Sequence, residues 1–297
     1  MSAIFPVVLK RHGGRIDEQA EGASGASVGR QPGASVGRQP GGVSVNDTLV
    51  VEEPLEIRLD DTPLAVLMRT PGAGAAGAED DLDLVAGFLR TEGLIEGLDD
   101  LSGLAHCTEP LRENAQNIVI ARLAPGTRVD ADRLRGAARS LVASAGCGLC
   151  GKTTLDSIVQ AARPLAERWA PPIETLHTLT EMLRVAQPIY RLTGGCHGAG
   201  IFDEGGRPLC IREDIGRHNA VDKCIGALLR AGCEPPTRCT LVVSGRAGFE
   251  LVQKAAMAGI PAMVSVGAAS SLAHELAGRM GLRLFSFVRA SSANDHG

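Results

Sequence analysis

Alternation and helical spacing of apolar positions divide the chain into elements. LEIRL at 55–59 alternates apolar and polar side chains and LAVLMR at 64–69 is a short apolar run, and the two flank a turn at Asp60 and Asp61, which predicts two strands. The run DDLDLVAGFLRTEGLI places Leu82, Leu84, Val85, Phe88 and Leu89 at helical spacing, with acids at its start and Gly93 near its end. NIVIARL at 117–123 reads as another strand, and DADRLRGAARSLVASAG as a helix that Gly146 stops. TLTEMLRVAQPIY is a helix that cannot run past Pro188. GGCHGAGIFD and PLCIRED form a hairpin around Glu204, Gly205 and Gly206, and IGRHNAVDKCIGALLRAG follows as a helix. Strands at 240–244, 262–266 and 282–288 then alternate with helices at 249–258 and 270–280, a βαβ series that calls for a mainly parallel sheet.

Residues 1–45 break the pattern. GASVGRQP stands at 25–32 and again at 33–40, rich in Gly, Ser, Pro and Arg. So few large apolar residues cannot offset the entropy of ordering, which predicts a disordered tail with order beginning near Asp47. The IFPVVL run at 4–9 is the exception, apolar enough to pair with a sheet edge. With 297 residues the chain is long enough for two domains. The predicted division is a smaller α+β domain over 46–143, a mobile loop over 144–155 and a larger α/β domain over 156–297.

Charge and composition narrow the function. A net charge of −4 with scattered Lys and Arg gives no bulk argument for nucleic acid, and no apolar run is long enough to span a membrane. The N-terminus carries its charges after its apolar stretch, the reverse of a secretion signal, so a cytoplasmic protein is expected. In a reducing compartment eight cysteines point to metal or sulfur chemistry before disulfides.

Four stretches carry candidate chemistry. SAGCGLCGKTT sets Cys147 and Cys150 three apart among glycines, a spacing suited to metal, redox or sulfur-transfer work. Two ligands do not close a zinc site, although Cys107, Cys196, His197 or Cys210 could complete one in space; no metal is expected. Cys210, Cys224, Cys233 and Cys239 read as small core residues. TGGCHGAG places Gly194 and Gly195 before Cys196 and His197, so a backbone can approach a ligand; His197 suits thiol activation, a phosphate contact or a plain strand start. In REDIGRHNAVDK, a helix starting near Ile215 would have Asp214 at its N-cap. It would put His218 with Asp222, and Asn219 with Lys223, on shared faces. Arg212, Arg217, His218 and Lys223 together suggest an anion site, with a solvated face as the plain alternative. Finally, Ser244, Gly245 and Arg246 follow a strand and precede a helix, where open α/β sheets bind phosphates; the pattern is neither a P-loop nor a dinucleotide fingerprint.

Taken in order, CGLCGK, TGGCHGAG, REDIGRHNAVDK and SGRAGFELVQKAAMAGIP resemble the FdhD family of formate dehydrogenase accessory sulfurtransferases, over about residues 47–289. The resemblance implies a cytidine-deaminase-like α/β sandwich without the deaminase zinc signature. It implies persulfide on Cys147 with Cys150 as a second relay thiol, a cysteine desulfurase as donor, and Mo-bis(molybdopterin guanine dinucleotide) as acceptor before insertion into formate dehydrogenase. It implies a homodimer. It places the cofactor among Gly194, Gly195, His197, Arg217, His218, Asp222, Lys223, Ser244, Gly245, Arg246 and the run Phe285, Ser286, Phe287, Val288, Arg289 and Ala290. Without that resemblance, a cofactor-delivering binding module and a zinc-stabilised nucleotide binder fit the same residues.

Overall fold

The computed structural model describes residues 4–11, 43–72, 79–109, 114–139, 165 and 168–297. Strand β1 (Ile4–Arg11) pairs antiparallel with β2 (Val43–Val50), Ile4 opposite Val50 and Arg11 opposite Val43. The start of order expected near Asp47 therefore moves: the apolar IFPVVL run forms a strand paired with residues 45–50, and Lys10 and Arg11 extend the pairing to 43 and 44. The duplicated octapeptide between them lies outside the described residues.

A four-stranded sheet follows, in the order β4 (Thr62–Arg69), β3 (Glu53–Leu59), β6 (Ile118–Leu123), β5 (Leu101–His106). β3 is antiparallel to β4 across the Asp60 turn and parallel to β6. Helix α1 (Glu79–Thr91) lays Leu84, Val85, Phe88 and Leu89 on Leu55, Ile57, Val119 and Ala121 of this sheet. Helix α2 (Ala131–Arg139) follows. β5 was not read from the sequence, because LSGLAH lacks a clear alternation.

The larger sheet has six strands in the order β12 (Ser292–Asp295), β11 (Arg283–Arg289), β10 (Ala262–Ser265), β9 (Cys239–Val243), β7 (His197–Asp203), β8 (Pro208–Asp214). β9, β10 and β11 are parallel; β7 is antiparallel to both its neighbours. Helices α5 (Arg217–Arg230), α6 (Phe249–Met257) and α7 (Ser271–Met280) cover one face, where Val221, Val252 and Leu276 meet Ile201, Leu241 and Leu284. Helix α3 (Leu176–Val185) covers the other with Leu176, Leu179 and Leu183 on Phe202, Val242 and Phe285. Pro188 ends the expected single helix and opens α4 (Pro188–Thr193) as its first residue. The mixed α/β class read from the sequence is the class observed.

The two halves meet where α1 crosses α5. A Cβ at Gly87 would stand 2.6 Å from the Asp222 carbonyl carbon, and one at Gly226 would stand 2.6 Å from the Gly87 nitrogen. Only glycine on both helices permits so close an approach. Buried charge pairs surround the crossing. Lys223 Nζ lies 2.6 Å from Asp80 and 2.7 Å from Asp214, and Lys254 Nζ lies 2.8 Å from Asp222. Arg212 and Arg230 both reach Asp83, at 2.9 and 2.6 Å. No helix among the described residues is long and apolar enough to cross a membrane.

Candidate functional site

Cys147 and Cys150 lie outside the described residues, so the site is built from the other motifs. Strand directions bring them to one edge. The carboxyl ends of β8, β9, β10 and β11 and the start of β7 share that edge, and α5, α6 and α7 begin there. Ser244 ties β7 to the loop after β9: its backbone N–H donates to the Gly198 carbonyl, and its Oγ accepts the Gly198 N–H, both at 2.9 Å. Ser265 Oγ donates to the Gly245 carbonyl at 2.7 Å. A Cβ at Gly267 would meet that same carbonyl oxygen at 2.8 Å, so glycine is required for the loops to close on each other. The Phe287 N–H donates to the Gly267 carbonyl at 2.9 Å, and Arg289 Nη1 donates to the Val266 carbonyl at 2.6 Å.

The expected site residues divide. His197, Arg217, His218, Ser244, Gly245 and Arg246 come together: a Cβ on Gly245 would lie 3.3 Å from His197 Nδ1 and 3.9 Å from Arg217 Cδ. Gly194 and Gly195 are exposed just before β7, Gly194 with a φ of 65°. From the C-terminal run, Phe287, Arg289 and Ala290 reach the surface, whereas Phe285, Ser286 and Val288 are buried. Phe287 has a φ of 49°, a left-handed backbone that an aromatic residue rarely adopts.

Asp222 and Lys223 do not join this group. Both are buried against α1, Asp222 holding Thr91 and Lys254, and Lys223 holding Asp80 and Asp214. Arg212 likewise turns to Asp83. Asp214 is not a cap residue: α5 starts at Arg217 with Gly216 before it, and the Asp214 carboxylate accepts the N–H groups of Gly216 and Thr70 and the Asn219 amide. Glu213 is buried too, and its carboxylate accepts the Ile189 and Tyr190 N–H groups at the start of α4. The polar density of this motif therefore serves the joint between the halves as well as the candidate edge. The acids of EDDLD, read as a helix start, are the other half of that joint.

Cysteine 196 is buried beside Thr70 Oγ1 at 3.9 Å, and burial pushes its thiol up to about 12. It stays a neutral thiol near pH 7, unlike a sulfur nucleophile. Cys210, Cys224 and Cys239 are buried as expected of core residues, while Cys233 is exposed. Among the described residues no three His, Cys, Asp or Glu side chains gather in a metal-binding arrangement. Burial, then Arg217 and His218, holds the His197 imidazole below its ordinary range, so it is neutral near pH 7. Arg217, His218 and Arg246 with three helix N-termini suit a phosphate-bearing ligand. The FdhD/NarQ family model matches residues 50–295.

The chain belongs to the FdhD/NarQ family.

Relatives agree along most of their length. The sulfur carrier protein FdhD of Anaeromyxobacter dehalogenans (strain 2CP-C) is 44% identical over 259 residues, 85% of this chain and 88% of its own. That of Streptomyces coelicolor is 46% identical over 255 residues, 84% of this chain and 86% of its own. A crystal structure of a candidate formate dehydrogenase accessory protein from Desulfotalea psychrophila shares the fold, with a TM-score of 0.65 at 23% identity over 86% of this chain and 91% of that one. Two residues of this edge were not singled out from sequence. Gly267 gives no local signal, and Glu250 reads as an ordinary first-turn acid.

Proposed function

We propose that this chain is a sulfur carrier for formate dehydrogenase maturation. In this reading the Cys147 thiolate attacks the terminal sulfur of a cysteine desulfurase persulfide. A new S–S bond forms on Cys147 and the donor cysteine leaves as a thiolate. Cys150 serves as the second relay thiol. The sulfur then passes to Mo-bis(molybdopterin guanine dinucleotide), the acceptor substrate, before that cofactor enters formate dehydrogenase. A cytoplasmic homodimer completes the reading.

One observation carries the ligand half of the proposal: His197, Arg217, His218 and the Ser244–Arg246 loop meet on one sheet edge at three helix N-termini. Basic side chains and free N–H groups fit the phosphates of a guanine dinucleotide. Asp222 and Lys223, buried in the joint, support the site from behind and do not touch the ligand.

Two measurements test the proposal. Persulfide mapping after incubation with a desulfurase and cysteine should place one added sulfur on Cys147 in the wild type and none in Cys147→Ala. Calorimetric titration with GDP, standing in for the guanine nucleotide ends, should show Arg217→Ala binding about ten- to a hundredfold more weakly, the loss of one charge-assisted hydrogen bond. Persulfide loading should be unchanged in that variant. Full sulfur transfer with alanine at both Cys147 and Cys150 refutes the relay, and unchanged GDP affinity in Arg217→Ala removes the edge as its site.

A further inference from the structure

Thr70 belongs to the first half of the chain, one residue past β4, yet its hydrogen-bonding partners lie in the second half. The residue is fully buried. Its Oγ1 accepts the Ile215 N–H at 3.1 Å and lies 3.9 Å from Cys196 Sγ. Its backbone N–H donates to Asp214 Oδ2 at 3.0 Å, and its carbonyl accepts from Lys223 Nζ at 3.1 Å.

These partners fall under two walls of the edge. Cys196 precedes His197, the first residue of β7, and Ile215 lies two residues before Arg217, the first residue of α5. His197 and Asp214 stand opposite each other where β7 and β8 pair. One side chain from the other half of the molecule thus underlies both segments that carry the basic groups. Among the described residues no side chain caps α5, so the turn before it fixes the direction of its first residues. That turn closes on itself through Asp214 Oδ1, which accepts the Gly216 N–H at 2.8 Å and the Asn219 amide at 2.9 Å. The Asn219 amide also donates to the Met68 carbonyl at 2.7 Å, two residues before Thr70.

Contacts across the joint differ in kind along α5. At Lys223 and Arg230 they are charge pairs with helix side chains, and they set where the helix lies. At Thr70 the hydroxyl meets the backbone of the turn itself, so it sets how Arg217 and His218 leave the sheet. An Ile215 N–H without that acceptor leaves the turn one bond short of a single position.

We propose that Thr70 is a positioning residue for the ligand edge: its hydroxyl holds the Asp214–Gly216 turn so that Arg217 and His218 stand ready beside Ser244–Arg246 for the phosphates of a nucleotide. This role rests on the nucleotide reading of the edge. A turn released from Thr70 samples other positions, and a ligand must then gather it at a cost in affinity.

The test uses the full chain and GDP. Thr70→Val keeps the shape of the side chain and both backbone bonds of residue 70, and removes the hydroxyl. Thr70→Ser keeps the hydroxyl without the methyl, and Thr70→Ala removes both. The serine and alanine pair repeats the comparison, so the outcome does not depend on valine packing well. GDP should bind about three- to tenfold more weakly to the valine and alanine variants, the range of one neutral hydrogen bond. The serine variant should stay within about twofold of wild type. Arg230→Gln is the structural control. It breaks a joint pair about 20 Å along α5 from Arg217, and should lower the melting temperature with GDP affinity unchanged. Amide hydrogen exchange without ligand should quicken at Ile215 and Gly216 in the valine and alanine variants only. Affinity that does not follow the hydroxyl, an Arg230→Gln loss as large as that of Thr70→Val, or unchanged exchange at Ile215 overturns the proposal. Wild-type protein that binds no GDP overturns the nucleotide reading and this role with it, while the ligand-free exchange separately reports whether the hydroxyl holds the turn.

Discussion

Replacing Gly226 with alanine should separate the two halves of the molecule. The new Cβ would stand 2.6 Å from the Gly87 nitrogen and 2.8 Å from the Asp83 carbonyl carbon, where ordinary contact begins near 3.4 Å. These atoms are backbone on a facing helix, so α1 and α5 must move apart by about 1 Å or more. That movement strains the crossing at the upper end of the overpacking range, about 3 kcal/mol. It also stretches the Lys223–Asp80, Arg212–Asp83 and Arg230–Asp83 pairs, now 2.6, 2.9 and 2.6 Å, at a further cost of at least about 1 kcal/mol. Alanine returns about 1 kcal/mol of helix propensity. The net loss is about 3 kcal/mol, which lowers the melting temperature by about 6–12 °C. Urea denaturation followed by circular dichroism measures it. Gly87→Ala should behave alike, and the double variant should be only slightly worse than either single, because one alanine already holds the helices apart. A Gly226→Ala protein as stable as wild type, or more stable, would refute the close crossing, since propensity alone would then govern the site.

Two further outcomes follow from buried and strained groups. Asp80 shares Lys223 with Asp214, and burial raises its carboxyl from 3.8 to about 6. The folded chain therefore holds a proton that the unfolded chain releases between about pH 6 and pH 4, so this group favours folding increasingly as pH falls through that window. Asp80→Asn should lose up to about 3 kcal/mol relative to wild type on going from neutral pH to pH 4, seen in paired urea midpoints; a difference constant with pH would clear Asp80 of this role. Phe287→Gly should relieve the left-handed backbone and stabilise the fold by about 1 kcal/mol, while GDP affinity falls if the exposed ring meets the ligand. A lower melting temperature would show that the ring holds the C-terminal strands together.

Local pattern made the C-terminal βαβ series legible almost strand for strand, because each strand is a short apolar run bounded by glycine, proline or a helix with a clear stripe. The strand at 101–106 was hidden, since its half-buried LSGLAH sequence does not alternate. Residues 4–11 were assigned with the tail because a strand's partner, here 43–50, lies across a long polar insertion that no local rule bridges. That the Ser244–Arg246 loop and Arg217–His218 share one sheet edge was readable from their place between strand and helix. Asp222 and Lys223 were not separable from them by sequence. Helical spacing says which residues share a face, but not that the face opposite belongs to α1 with its own acids. The charges of EDDLD and DIGRHNAVDK are each ambiguous alone and become a joint only when set against each other.

Helix α5 serves two masters along fourteen residues. Its first turn lies at the proposed ligand edge, and its middle is packed against a helix more than a hundred positions earlier in the chain. Recombination between distant homologues is therefore constrained in a particular way. A chimera that takes its C-terminal half from one relative and its N-terminal half from another must inherit complementary glycines and charges on both helices, or strand lysines and aspartates without partners. Changing the proposed ligand edge needs less: Arg217, His218, Arg246 and Glu250 can vary without touching that seam. Specificity can drift quickly in such an arrangement while the two halves remain bound to one another's history.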